Sequence, residues 1–197
     1  MVEAKAIPDN ETLSRAANID VLNVKGDNVK FGLIIERKTI VVFIRHFFCG
    51  AYVEQLAKVS QEALDAAVTS IVVIGCGEWN PIQSYAETTG FKGRIFADPT
   101  RTLYRELGMD IESLERTPAG QERRSYLVLG AFANATQSIW KALRHPSHIG
   151  KQGKFAQLGG EFIFGPGTVC SFASRMQHTE DHVEVADLLK AASVGHT

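Results

Sequence analysis

An excess of charge of either sign is the first thing this sequence lacks. Its 21 Lys and Arg are offset by 22 Asp and Glu, for a formal charge of -1 and a pI near 6.6. No broad basic field is available, so nucleic acid is not an expected partner. Long apolar runs are missing too: none approaches the ~20 residues that span a bilayer, so no membrane partner is expected. The opening "MVEAKAIPDNETLSRAANID" has no apolar stretch set between a basic start and a small-residue cleavage site, and the expected location is cytoplasmic. Cysteine is scarce. Cys49, Cys76 and Cys170 are odd in number and widely spaced, which fits neither a disulfide framework nor a zinc site and predicts free thiols at rest. No Gly-rich phosphate loop follows a strand, and no cysteine pair stands at zinc-ligand spacing. Neither a metal nor a cofactor is therefore expected.

What is present is the alternation of an α/β protein. The 197 residues suffice for one full core and are too few for two comfortable domains, so a single domain over residues 1–197 is expected. The stretch from Ile19 alternates around Gly26-Asp27-Asn28 and predicts a short strand or hairpin. Thr39 to Ile44 is a continuous β-branched run, as in a strand buried on both faces. From Tyr52, apolar residues through Val68 recur at helical steps, predicting one crossover helix. "SIVVIGCG", ending at Gly77, predicts the next strand, Asn80-Pro81 the start of a second helix stopped at Gly90, and "GRIFADPT" a third strand. Asp98-Pro99 reads as a cap for the helix that stops at Gly108. Residues from about 109 to 159 read as an insertion over the sheet, with a helix through Ile139, Trp140 and Leu143. Two strands joined by Gly165-Pro166-Gly167 and a helix through Val185, Leu188 and Leu189 complete the chain. The order suits a thioredoxin-like fold: a central mixed sheet flanked by helices, with an N-terminal extension and an insertion before the last β-hairpin.

Cys49 stands in "VVFIRHFFCGAYVEQL", where strand meets helix. In open parallel sheets the sites collect at the carboxyl ends of the strands. The first turn of a helix offers unpaired N–H groups and a positive dipole end, which lower a thiol's pKa and favour the nucleophilic thiolate. A small buried apolar residue among Phe47, Phe48 and Gly50 is the alternative reading of the same cysteine. Arg45 would add positive charge. His46 is a candidate base or hydrogen-bond donor, although strand alternation puts it opposite Arg45 unless the strand has ended. Tyr52 is a candidate donor to a substrate oxygen or a packing residue. Trp140, with Lys141, Arg144, His145 and His148, would line a pocket for an anionic or aromatic substrate or form a solvated basic helix.

The blocks "FIRHFFCGAY", "VVIGCGEWNPIQSYAETTGFKGRIFADPTRTLYRELGM" and "LGGEFIFGPGTVCSFASR" together resemble the peroxiredoxin-like 2 family, an AhpC/TSA-type antioxidant group with a thioredoxin-like fold. The resemblance runs from about Leu22 to Ala192, and its most specific pieces are Gly-Cys-Gly, Tyr-x-x-x-Thr-Gly, Ala-Asp-Pro and Leu-Gly-Met in that order. It implies thiol-dependent reduction of a peroxide or endoperoxide O–O bond, with Cys49 as the first cysteine of the family's C-x-x-C motif and Arg45 as the arginine four residues ahead. Tyr52 replaces the second cysteine. In the P-x-x-x-T-x-x-C pattern of typical peroxiredoxins, Val42 stands for Pro and His46 for Thr, and Gly159-Gly160 stand where an arginine precedes a late strand.

An oxidised Cys49 would become a sulfenic acid that a second thiol must resolve. Cys76, at the end of the neighbouring strand, is the internal candidate, while a core position is its other reading; Cys170, inside a late strand, reads as core. Without an internal partner, thioredoxin or glutathione would act as reductant. The expected function is thus a thiol-dependent oxidoreductase. A thioredoxin-fold tailoring enzyme of isomerase type and a non-redox binding module are the alternatives. A homodimer would form through the N-terminal edge strand or the helix around Trp140.

Overall fold

A computed structural model describes residues 2–127, 150–167 and 169–195. Asp9 accepts a hydrogen bond from the Thr12 N–H at 2.8 Å and so starts α1, Asn10–Ala17. A hairpin of β1, Asp20–Leu22, and β2, Asn28–Lys30, follows, with Gly26 in the left-handed region at φ +85° where its turn requires it. A short α2, Phe31–Ile34, leads to the central strand β3, Lys38–Ile44. The crossover then gives β4, Thr69–Gly75, followed by α5, Ile82–Thr89, and β5, Arg94–Ala97. After α6, Thr102–Glu106, come β6, Gly160–Phe164, β7, Cys170–Arg175, and the terminal helix α7, Val185–Ala191.

The expected single crossover helix is two helices, α3, Ala51–Leu56, and α4, Gln61–Ala66. Ser60 is extended, with ψ 126°, and its hydroxyl caps the Ala63 N–H at 3.3 Å. A side chain that satisfies a helix's orphan donors starts a new helix even inside an apolar periodicity. Strand β4 ends at Gly75, two residues before the expected Gly77. Beyond Gly75 the chain bonds to residues 151–154 instead of a neighbouring strand, with Glu78 N–H donating to Lys151 O at 2.8 Å, and Gly77 leaves room for that close approach.

The seven strands run β2-β1-β5-β4-β3-β6-β7, with β3, β4 and β5 parallel and β6 and β7 antiparallel to their neighbours. Successive β3 side chains point to opposite faces, which splits the core in two. Ile40, Val42 and Ile44 pack with Val53, Leu56, Ile82 and Leu188, whereas Val41 and Phe43 pack with Leu13, Phe31, Leu103 and Phe162. Each such side chain buried whole contributes about 1.5–3 kcal/mol. Asp98 caps α6, accepting from Leu103 N–H at 2.8 Å and Thr102 N–H at 3.2 Å. The described ends of the 109–159 segment pair with each other: Leu158 N–H donates to Ile111 O at 3.1 Å and Ser113 N–H to Ala156 O at 2.7 Å. The helix expected around Trp140 lies outside the described residues. Among those described, no helix is long and apolar enough to cross a membrane.

Candidate active site

Because β3 stops at Ile44, Arg45 and His46 are freed from strand alternation and both reach the same atom. Arg45 Nη1 stands 3.8 Å and His46 Nε2 3.2 Å from Cys49 Sγ. The Cys49 N–H closes a turn onto His46 O at 3.0 Å, and Gly50 is the N-cap of α3. Cys49 therefore lies just ahead of a six-residue helix and not within its first turn.

The local chemistry follows from burial. Desolvation pushes His46 down to about 3, with the Arg45 charge adding to the effect, so the imidazole is neutral at physiological pH. Its Nδ1 accepts the Phe48 N–H at 3.2 Å. A neutral ring accepting at Nδ1 carries its proton on Nε2. That proton points at the Cys49 sulfur, which makes His46 a donor to the thiolate.

Sequence reasoning led to the expectation of a lowered thiol pKa, and the structure has the opposite sign. Cys49 keeps some exposed surface, but its sulfur sits under enough protein that desolvation raises the thiol above its ordinary value. Arg45 and the His46 backbone pull against this without reversing it. A helix of this length, with the cysteine outside it, supplies too little dipole to win.

A strap over residues 151–155 crosses the carboxyl ends of β3 and β4. Phe47 N–H donates to Gln152 O at 2.9 Å, Glu78 N–H to Lys151 O at 2.8 Å and Arg45 Nη2 to Phe155 O at 2.7 Å. The Phe155 ring lies 4.6 Å from that of His46 and is 48% exposed. Arg45 Nε is buried without a partner. Beneath the strap, the Cys76 thiol donates to Arg45 O at 2.8 Å, and burial raises it to about 11. Cys170 is buried in β7 and likewise raised to about 11.

Tyr52 faces away from this group. Its ring stacks on His182 at 4.3 Å and 8°, His182 Nδ1 is hydrogen-bonded to the buried Glu161, and the Tyr52 hydroxyl is buried without a partner. Trp140 lies outside the described residues. Two neighbours of the site escaped sequence reasoning. Tyr85 donates to Cys49 O at 2.7 Å, and the Tyr-x-x-x-Thr-Gly piece was its available signal. Phe155 had none, since nothing local marks a strap residue as near Cys49.

Comparison with known proteins places this architecture. The family model for the AhpC/TSA antioxidant enzyme matches residues 55–178, more than half of the chain. A human protein named peroxiredoxin-like 2C is 34% identical over 202 residues, covering 100% of this chain and 88% of its own. The chain belongs to the AhpC/TSA antioxidant family, in its peroxiredoxin-like 2 group. An Arabidopsis thaliana relative named thioredoxin-like protein AAED1, chloroplastic, is 27% identical, over 88% of this chain and 69% of its own.

Solved structures share the fold of this AhpC/TSA member. A peroxiredoxin Q mutant from Xylella fastidiosa superposes with TM-score 0.58 at 9% identity, over 98% of this chain and 94% of that one. A peroxiredoxin 6 mutant from Arenicola marina gives 0.55 at 15%, over 89% and 69%. These likenesses establish the thioredoxin-like fold. The family match begins beyond Cys49, so the chemistry rests on the side chains around the sulfur.

Proposed function

We propose that this protein is a thiol-dependent oxidoreductase that reduces a peroxide O–O bond through Cys49. The observation that carries the reading is the convergence of two donors, His46 Nε2–H and Arg45 Nη1, on one sulfur. In the first step the Cys49 thiolate attacks one peroxide oxygen. An S–O bond forms, the O–O bond breaks, and the departing alkoxide takes up a proton to leave as alcohol or water. The sulfur is oxidised to sulfenic acid and the peroxide is reduced. Both donors stabilise the thiolate and the charge that builds on the departing oxygen.

Tyr52 stands where a C-x-x-C motif has its second thiol, and Cys76 is held under the strap by its bond to Arg45 O. The reductant is therefore an external thiol such as thioredoxin or glutathione. One thiol condenses with the sulfenic acid, releasing water and forming a mixed disulfide; a second thiol displaces Cys49 and leaves as the oxidised disulfide.

The test is stoichiometric peroxide with a sulfenic-acid trap, the label mapped by mass spectrometry, alongside turnover of wild type and Cys49→Ser with thioredoxin or glutathione. Labelling at Cys49 and loss of turnover in the variant are expected. Oxidation of Cys49 no faster than that of an ordinary exposed thiol refutes the reading.

A further inference from the structure

The Tyr-x-x-x-Thr-Gly piece, here Tyr85, Thr89 and Gly90, is not accounted for by the peroxide chemistry, yet it lies against the reactive turn. Tyr85 is 4% exposed and donates its hydroxyl to Cys49 O at 2.7 Å, while its ring meets Phe47 edge-on at 5.3 Å. One turn on, Thr89 Oγ1 donates to Tyr85 O at 2.9 Å, and its methyl would stand 3.5 Å from a Cβ on Gly50. Gly90, at φ +69°, ends the helix directly after. The same face of α5 thus holds Cys49 by its carbonyl and leaves little space beside Gly50. A hydroxyl buried with its ring has one rotamer and one partner, so the bond fixes the peptide that carries the sulfur.

We propose that Tyr85 is a positioning residue: its hydroxyl, clasped on the Cys49 carbonyl and backed by Thr89, holds the sulfur against His46 Nε2–H and Arg45. This rests on the thiol-oxidoreductase reading. The clasp makes two reactions of one sulfur depend on the turn to different degrees. Attack on a peroxide needs the thiolate and also the donors in register around the reacting oxygen. Alkylation by a small electrophile needs only the thiolate, which the donors favour. Groups facing the turn are Arg45 and His46 beyond β3, Glu54 of α3, Tyr85 of α5 and Cys76 after β4.

The experiment compares wild type with Tyr85→Phe, which keeps the ring and removes only the donor, after circular dichroism confirms folding. Two rates are followed at the Cys49 peptide by mass spectrometry: oxidation by hydrogen peroxide, and alkylation by iodoacetamide across pH. Loss of the clasp should slow oxidation ~10-fold as the donors fall out of register. It should move the alkylation midpoint up as the thiolate loses its donors, and slow alkylation by less than it slows oxidation. Thr89→Val keeps the side chain's shape and removes the bond to Tyr85 O, so it should shift both rates the same way by less. Rates within about twofold of wild type in both variants, or oxidation slowed no more than alkylation, overturn the role. Wild-type Cys49 that peroxide oxidises no faster than free cysteine overturns the peroxidase reading instead. In that case the alkylation profile alone decides whether Tyr85 controls the turn.

Discussion

Replacing His46 with phenylalanine removes one donor from the Cys49 sulfur and leaves a ring of similar shape beside Phe48 and Phe155. A hydrogen bond to a charged group contributes about 1.5–3 kcal/mol, and one pH unit of ionisation corresponds to about 1.4 kcal/mol, so the variant's thiol should ionise about one to two pH units later. Below the midpoint the thiolate fraction falls tenfold per unit, and oxidation by peroxide at neutral pH should slow by about 10- to 100-fold. The assay is the pH dependence of iodoacetamide alkylation of the Cys49 peptide, read by mass spectrometry. Cys76 and Cys170, both raised to about 11, are followed on their own peptides. Because His46 sits at about 3, the wild-type profile should be a single rise with no step near pH 6.5. The variant also strands the Phe48 N–H, which costs about 1–3 kcal/mol, so rates are compared well below its melting temperature. His46→Gln, which can return an N–H to the sulfur, should recover part of the loss. An unchanged or lowered midpoint in His46→Phe refutes the assigned donor.

Three further outcomes follow from the same contacts. The unfolded chain protonates His46 near 6.5 and the folded one near 3, so between these values the unfolded state binds more protons and stability falls as pH drops. The loss should be on the order of a few kcal/mol, visible in denaturant midpoints, and absent from this window in His46→Phe. Tyr52→Phe discards a buried hydroxyl that has no partner, and should be neutral or stabilising by up to about 1–2 kcal/mol in the same titration; a clear loss would mean that the hydroxyl is bonded. Arg175 donates Nε to Leu107 O at 2.6 Å and Nη1 to Ala6 O at 2.8 Å, tying the N-terminal segment to β7. Arg175→Ala should cost about 2–4 kcal/mol and expose residues near Ala6 to proteolysis, and an unchanged cleavage pattern would contradict the tether.

The β-branched run of β3, the Gly26 turn, the Asp98 cap and the Gly165-Pro166-Gly167 turn were legible because each acts within a few residues of itself. Ser60 is equally local, but the apolar periodicity that continues across it hides its cap. Cys49 and Arg45 stood out at the strand-to-helix junction. The proximity of His46 depended on where β3 stops, and that is set by pairing with β4 and β6 over Lys38 to Ile44.

By itself the sequence determined the α/β order, the position of one thiol at the end of the central strand and the absence of a second thiol at the C-x-x-C spacing. Tertiary structure decided what that thiol experiences. Burial reversed the expected direction of its ionisation and neutralised His46, and contacts with residues 85 and 151–155 closed the turn around it. Solvation and hydrogen-bond geometry depend on groups distant in the chain, so residue identities and spacing do not encode them until the sheet is assembled.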